Sequence, residues 1–144
     1  MAAPGTWTFS TNFRTALGAG TVKSGDTWNV ALFNSSWSTA TTTYSTTNEL
    51  ATQYGYTQGG VSIGTIAVAG TTSVTWKFPA SIVSTWAVSG GSVVCRYAVL
   101  YSTTDGAKNI LGWAYFDSTP ADITVTTGNS LTVGTASATI LTFA

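Results

Sequence analysis

Short runs of strand-forming residues, each closed by a turn signal, recur along almost the whole chain. The run DTWNVALF at residues 26–33 alternates Trp28, Val30 and Leu32 with smaller or polar neighbours, which predicts a strand with one buried face. The most apolar run, SVVCRYAVLY at residues 92–101, is predicted to form the central strand. Further strands are predicted at residues 61–68, 73–78, 82–88, 109–117, 123–126, 131–134 and 138–143. About eight or nine short strands predict an all-β fold, a single-domain β-sandwich or jelly-roll-like barrel.

Helix is favoured in only two places. Residues 10–17 place Phe13 and Leu17 four positions apart, which predicts one short N-terminal helical turn. Residues 46–51 favour a single further turn, whereas residues 34–44 are polar without a clear period and predict a long loop.

The chain shows no internal repeat and no linker, so one folded unit is expected. Its predicted organisation is an N-terminal arm at residues 1–9 and a single β-sandwich domain at residues 10–144. The arm carries Trp7 and Phe9, and we expect it to reach an adjacent subunit; an ordinary frayed terminus is the alternative.

Charged side chains are scarce, at 7% of residues against roughly a quarter in typical globular domains. Five basic and five acidic residues give a formal net charge of zero, which favours association and makes nucleic acid an unlikely partner class. We interpret the low charge as surface that is buried against neighbouring subunits. A secreted Thr- and Ser-rich module with a neutral exposed face is the alternative.

The sequence also limits the expected location. Residues 1–15 lack the basic start and apolar core of a secretory signal, and no apolar run approaches the ~18 residues of a membrane span. A single cysteine, Cys95, is expected to be a buried thiol. These features predict a particle that assembles in the cytosol and is later released, with no membrane partner.

The absence of histidine removes the commonest general base and the commonest metal ligand. Asp26 and Asp105 lie in predicted turns, and Asp117 and Asp122 flank Pro120, a pattern typical of loops. We therefore expect no enzyme activity, no catalytic or metal-binding residues and no cofactor.

Glu49 differs from the other acids because its neighbours are apolar. The first interpretation is a capping-box glutamate that reaches back to Thr46. The second is a buried pair with Arg96, because a buried charge requires a partner. A catalytic or ligand-binding role ranks third.

The six tryptophans raise two hypotheses. Those within strand patterns are expected in the core: Trp28, Trp76 and Trp113. Those expected to be exposed are Trp7, Trp37 and Trp86, and together with Phe9 they are the candidate interface residues. Binding of a sugar would instead require two or three coplanar exposed rings beside Asn, Gln or Asp.

The order of these motifs resembles a group of small structural proteins of tailed bacteriophages. The matching pieces cover roughly residues 10–117: a short amphipathic turn, DTWNVALF, YSTTNELATQYGYTQGG, an aliphatic strand, a Trp-bearing strand near residue 76, VVCRYAVLYS and an apolar strand ending in Phe116-Asp117. The most specific piece is TTNEL…GYTQGG, and residues 123–143 are more Thr-rich than the family pattern.

The resemblance implies a non-enzymatic virion structural protein. A capsid decoration or cement protein is the first hypothesis, forming a homo-oligomer, with a trimer favoured, on the major capsid protein or other virion subunits. The second hypothesis is a tail or fibre module that contacts glycans of the host surface. The third is a free secreted carbohydrate-binding domain, which would be a stable monomer.

Overall fold

The computed structural model describes residues 5–80, 84–134 and 136–143, which fold almost entirely into β-structure. One short helix, α1, spans Phe13–Gly18, and every strand pairing is antiparallel. The strands are β1 Thr8–Phe9, β2 Trp28–Phe33, β3 Val61–Gly64, β4 Ala67–Ala69, β5 Val74–Lys77, β6 Ser84–Ala87, β7 Ser92–Cys95, β8 Tyr97–Ser102, β9 Ile110–Tyr115, β10 Ile123–Thr126, β11 Ser130–Val133 and β12 Thr139–Phe143. The prediction of an all-β fold with one short helix is confirmed.

The largest sheet has five strands in the order β1-β9-β8-β2-β3. Trp28, Val30 and Leu32 of β2 lie on its inner face, and all three are fully buried in the main hydrophobic core, as their alternation predicted. Strand β8 is buried at every residue, and Leu100 adds a further fully buried side chain to that core. This sheet is therefore the central scaffold of the molecule.

Three smaller sheets share the same core: β12-β5-β4, β11-β6 and β10-β7, called the small sheets below. The ring of Trp76 in β5 meets the ring of Trp28 in β2 edge-on, with centroids 6.3 Å apart. Across the described residues all four sheets stay open, so the fold is sandwich-like and the predicted barrel alternative is wrong.

The predicted strand at residues 61–68 is two strands in two different sheets. β3 belongs to the five-stranded sheet and β4 to a small sheet. Gly64 adopts φ +70°, a conformation that glycine reaches without steric cost, and the Ile66 amide then donates to the Ser24 carbonyl. The chain thus turns a corner where the apolar run gave no sign of one.

The predicted central strand at residues 92–101 also breaks, at Arg96. Strand β7 before it lies in a small sheet, and β8 after it lies in the five-stranded sheet. The Arg96 amide donates to the Phe33 carbonyl, and its carbonyl accepts from the Phe116 amide. The lone charge within this apolar run therefore marks a corner between sheets.

Both helix predictions required adjustment. The N-terminal helix begins at Phe13 after Asn12, whose side chain makes no capping hydrogen bond. The segment 46–51 is not helical: Asn48 has φ +66°, and Glu49 forms an isolated antiparallel bridge with Phe33. The prediction of a helical turn there is wrong because the segment pairs with the end of β2.

Residues 34–60 are called the covering loop. Their first part, residues 34–44, lies over the outer face of the five-stranded sheet, whereas Tyr56 is buried in the main core. They contribute Trp37 and Tyr44 to a second hydrophobic cluster, whose sheet residues are Ala31, Phe33, Tyr97, Val99, Tyr101 and Ile110. The prediction of a long loop was correct in outline, and this loop leaves the central strand β8 buried on both faces.

The N-terminal residues 5–9 lie against the chain's own five-stranded sheet. The Gly5 amide donates to the Tyr115 carbonyl, and Thr8 is in register with Trp113. This part of the predicted arm belongs to the sandwich, while residues 1–4 lie outside the described residues. The start of the predicted strand 82–88 falls partly on residues 81–83, which also lie outside them.

Candidate association surface

Three of the four candidate interface aromatics are buried within the single chain. The exposed fractions of Trp7, Trp37 and Trp86 are 8%, 5% and 6%. The prediction that these rings are exposed is wrong, because each is packed against an aromatic ring of its own chain, namely Phe78, Phe33 and Tyr56 respectively. Phe9 is half-buried and stacks on Phe13 with centroids 5.9 Å apart.

The aromatic rings also do not form a flat platform. Trp113, expected in the core, is half-buried together with Tyr115 at one end of the second cluster. The planes of these two rings are 81° apart, and the planes of Trp37 and Trp113 are 68° apart. Coplanar exposed rings, the requirement set for a sugar platform, are not found at either pair.

Glu49 is buried, at 7% exposed, and its carboxylate accepts three hydrogen bonds. The hydroxyls of Tyr44 and Tyr56 and the amide of Gly59 each donate to it at 2.6 Å. Burial, and then the hydrogen bond to this carboxylate, raises the pKa of both tyrosine hydroxyls above the usual value. Glu49 therefore ties together three points of the covering loop.

Neither structural interpretation of Glu49 is correct. Its carboxylate does not cap Thr46, and Arg96 has a different partner. The Arg96 guanidinium donates to Asp122 at 2.8 Å, with the two side chains 27% and 40% exposed. The sequence missed the actual donors because Tyr44 and Tyr56 are distinguished from other tyrosines only by the fold of the loop.

Other candidate chemistry is sparse in the part of the chain that the structure describes. Cys95 is fully buried, as predicted, and burial raises the pKa of its thiol to about 12, so it is a poor nucleophile. Residues 5–80, 84–134 and 136–143 include no group of three or more Asp, Glu, His or Cys side chains placed to hold a metal ion. None of the described helices has the length and apolar character to cross a membrane.

The small sheets present an outer surface with almost no charge. The sequence has no charged residue at 50–76, at 78–95 or at 123–144, and these stretches supply almost all of the small sheets, with Lys77 as the exception. Two strands carry the most exposed large aliphatic side chains: Val94, at 46%, lies on the outer face of β7, and Val68, at 50%, lies on β4 in register with Trp76. Threonines fill much of the remainder, and the exposed hydroxyls of Thr75 and Thr142 lie 3.4 Å apart.

Strand edges add to this surface. β4 is an edge strand, and all three of its residues are exposed. Edge strands of natural proteins commonly carry Lys or Pro that discourage pairing, and β4 has neither. The sequence signal for this edge was available in the uncharged Ala-Val-Ala triplet, but the apparent continuity of residues 61–68 concealed it.

A groove lies beside the opposite edge strand of the same sheet, β12. Its volume is about 460 Å³, and its walls are residues 5–7 and residues 138–142. The rings of Trp7, Phe9 and Phe78 line it, and the described lining residues include no charged side chain. The described surface therefore combines uncharged strand faces, an exposed edge and an apolar groove.

Comparison of the chain with protein-family models, with curated proteins and with solved structures gave no match.

Proposed function

We propose that the chain is a non-enzymatic structural subunit of a tailed-phage virion, most specifically a decoration or cement protein on the outside of the head. Its mechanism is association alone, with contacts to the major capsid protein and to other copies of itself. The site of assembly is the host cytoplasm.

The observation that carries the proposal is the surface of the small sheets, on which Lys77 is the one charged residue of the described strands. Exposed Thr, Ala and Val side chains lose little rotamer freedom when a partner covers them, so their burial costs little ordering entropy. A surface without charge also avoids the desolvation penalty that buried ions impose. The resemblance of residues 10–117 to phage structural proteins supports the same class.

An enzymatic role receives no support from the buried polar groups. The one buried carboxylate among the described residues, Glu49, has its hydrogen bonds filled by the covering loop. Asp105 is likewise used in a turn: partial burial raises the pKa of its carboxyl, but hydrogen bonds from the amides of Asn109 and Ala107 outweigh this and lower it below the usual value. Such carboxylates hold structure and are not free to transfer protons.

The alternative of a tail or fibre module that binds host glycans is weaker. It needs exposed coplanar rings, whereas Trp37 and Trp86 are buried within the chain. No observation on the described surface favours it over the decoration role.

The test is binding to empty heads of the phage that encodes the chain, prepared without it. The fluorescently labelled protein is mixed with heads and sedimented, and the wild-type chain should saturate a fixed number of sites. The charged variant Thr124→Asp, on the exposed face of β10, should bind more weakly by at least about tenfold.

The matched control is Ala107→Asp, in an exposed turn that already carries Asp105 and Lys108. It should bind like the wild type, because an added charge there stays in water. Failure of the wild-type chain to sediment with heads, together with binding to host glycans, would contradict the decoration role.

A further inference from the structure

The three-stranded sheet β12-β5-β4 ends in two edges of different character. At one edge β4 exposes Ala67, Val68 and Ala69, so its outer main-chain groups face solvent with only small side chains around them. At the other edge β12 borders the apolar groove. One sheet thus carries a projecting edge on one side and a recessed edge on the other.

The groove separates two strand segments that do not pair with each other. Within the described residues, no main-chain hydrogen bond joins residues 5–9 to residues 138–142. β1 pairs on its other side with β9, and β12 pairs on its other side with β5. The recess is therefore bounded by a strand edge with unused hydrogen-bonding capacity and floored by aromatic rings.

We propose that copies of this chain associate head to tail, with β4 of one copy pairing along β12 of the next. The side chain of Val68 then lies over the groove of the neighbour, against Phe78 or Trp7. This inference rests on the proposed associative function and specifies its self-contact. The occupant of the groove is a second copy of the chain.

Charge and size favour this pairing. Neither β4 nor β12 carries a charged residue, so the two edges meet without charged side chains between them. The nearest charge on this sheet is Lys77 of β5, which is in register with Ala67 and Thr139. Alanines on both sides of Val68 let the two backbones come within hydrogen-bonding distance. Addition of an extended segment to an open sheet edge supplies main-chain hydrogen bonds, and the groove selects the side chain.

The two edges also explain why head-to-tail contact is preferred over pairing of β4 with β4. A symmetric β4 pair would leave the groove unfilled and would place the two Val68 side chains in a small contact with each other. A contact between different edges is heterologous, and such contacts give closed rings or open filaments. The trimer favoured under the decoration hypothesis is one closed form.

The first test is sedimentation velocity over micromolar to millimolar concentrations, because a three-residue strand contact is small beside a standard interface of about 1,600 Å². Wild-type protein should form concentration-dependent oligomers. Val68→Asp should lower the association constant by at least about tenfold, since it places a charge over an apolar groove. Val94→Asp, equally exposed but on β7, should associate like the wild type.

Folding of each variant is checked by circular dichroism, and no large effect is expected because Val68 is already half-exposed. Equal loss of association in both valine variants would overturn the assignment of the contact to β4. A wild-type chain that stays monomeric throughout would also overturn it. That result leaves the proposed function standing if the monomer still binds empty heads, so the two failures are distinguishable.

The second test uses disulfide trapping, which is simplified by the burial of the native Cys95. The double variant Ala67→Cys with Thr139→Cys should give covalent oligomers on non-reducing gels, because both positions are in register with Lys77 and their side chains share one face of the sheet. Each single variant should not. Dimers of the single Ala67→Cys chain would show β4–β4 pairing and overturn the proposal. Removal of residues 1–4 should leave association unchanged, and loss of association would identify that segment as the groove's occupant instead.

Discussion

The five-stranded sheet and the small sheets are built from similar residues but differ in how far they are exposed to solvent. β8 is buried at all six positions, whereas β4 is exposed at all three. The difference arises from the covering loop, which places Trp37 and Tyr44 over the outer face of the large sheet. No segment within residues 5–80, 84–134 and 136–143 does the same for β4. One region is thus covered by its own chain, whereas β4 in the other region stays exposed to solvent.

The sharpest test of this comparison is a pair of truncations. Leu100→Ala in β8 should lower the free energy of unfolding by about 3 kcal/mol, because it leaves a cavity in a closed core. Val68→Ala in β4 should change it by less than about 0.5 kcal/mol, since that side chain is already half in water. Urea unfolding of the dilute monomer measures both, and equal losses would break the comparison.

The covering loop should depend on Glu49. Glu49→Ala leaves two tyrosine hydroxyls and the Gly59 amide without their acceptor, so we expect a loss of about 3 kcal/mol in the free energy of unfolding. Loss of near-ultraviolet circular dichroism from the second cluster should accompany it. Asp26→Ala is the control, because that carboxylate accepts only the exposed Lys23 amide and its removal should have little effect.

Cys95 tests whether the interior of the small sheets is as dry as that of the large one. Its pKa is raised by burial from 9.0 to about 12. The folded state therefore holds a proton that the unfolded state releases above pH 9, and stability present below pH 9 is lost as the pH rises toward 12.

Replacement by alanine should remove this share of the alkaline loss, about 1 kcal/mol between pH 9 and pH 10. The measurement compares the pH slope of the free energy of unfolding for Cys95→Ala and wild type over that interval. Identical slopes would show that the thiol is accessible to water in the folded state.

The ion pair at the corner between the two regions should contribute little to stability. Arg96 and Asp122 form an ion pair whose members are both partly exposed, so Arg96→Met should cost only about 0.5 kcal/mol. Thermal unfolding at low and high salt measures this loss of stability. A loss several times larger would mean that the guanidinium is needed to keep the corner folded. The main-chain bonds of Arg96 to Phe33 and Phe116 remain in this variant.

Much of the local structure was predictable because the alternation of buried and exposed side chains along a strand is visible in adjacent residues of the sequence. The pattern of Trp28, Val30 and Leu32 gave β2, and the burial of Cys95 followed from its apolar neighbours. The corners at Gly64 and Arg96 were missed because an apolar run stays apolar when it passes from one sheet to another. The prediction of exposed tryptophans was wrong because their neighbours in sequence do not show what they pack against. Trp37 lies in a polar stretch of sequence, but its ring packs against those of Tyr97 and Phe33.

The sequence by itself determined the strand content, the scarcity of charge and the absence of histidine, since these depend on residue type and short-range period. Tertiary structure alone decided which faces meet water. It gave Glu49 two tyrosine hydroxyls and an amide in place of Arg96, and it left Val68 exposed on an edge. The physical reason is that burial and hydrogen-bond partners are set by segments distant in the chain, and no local pattern records which segments those are.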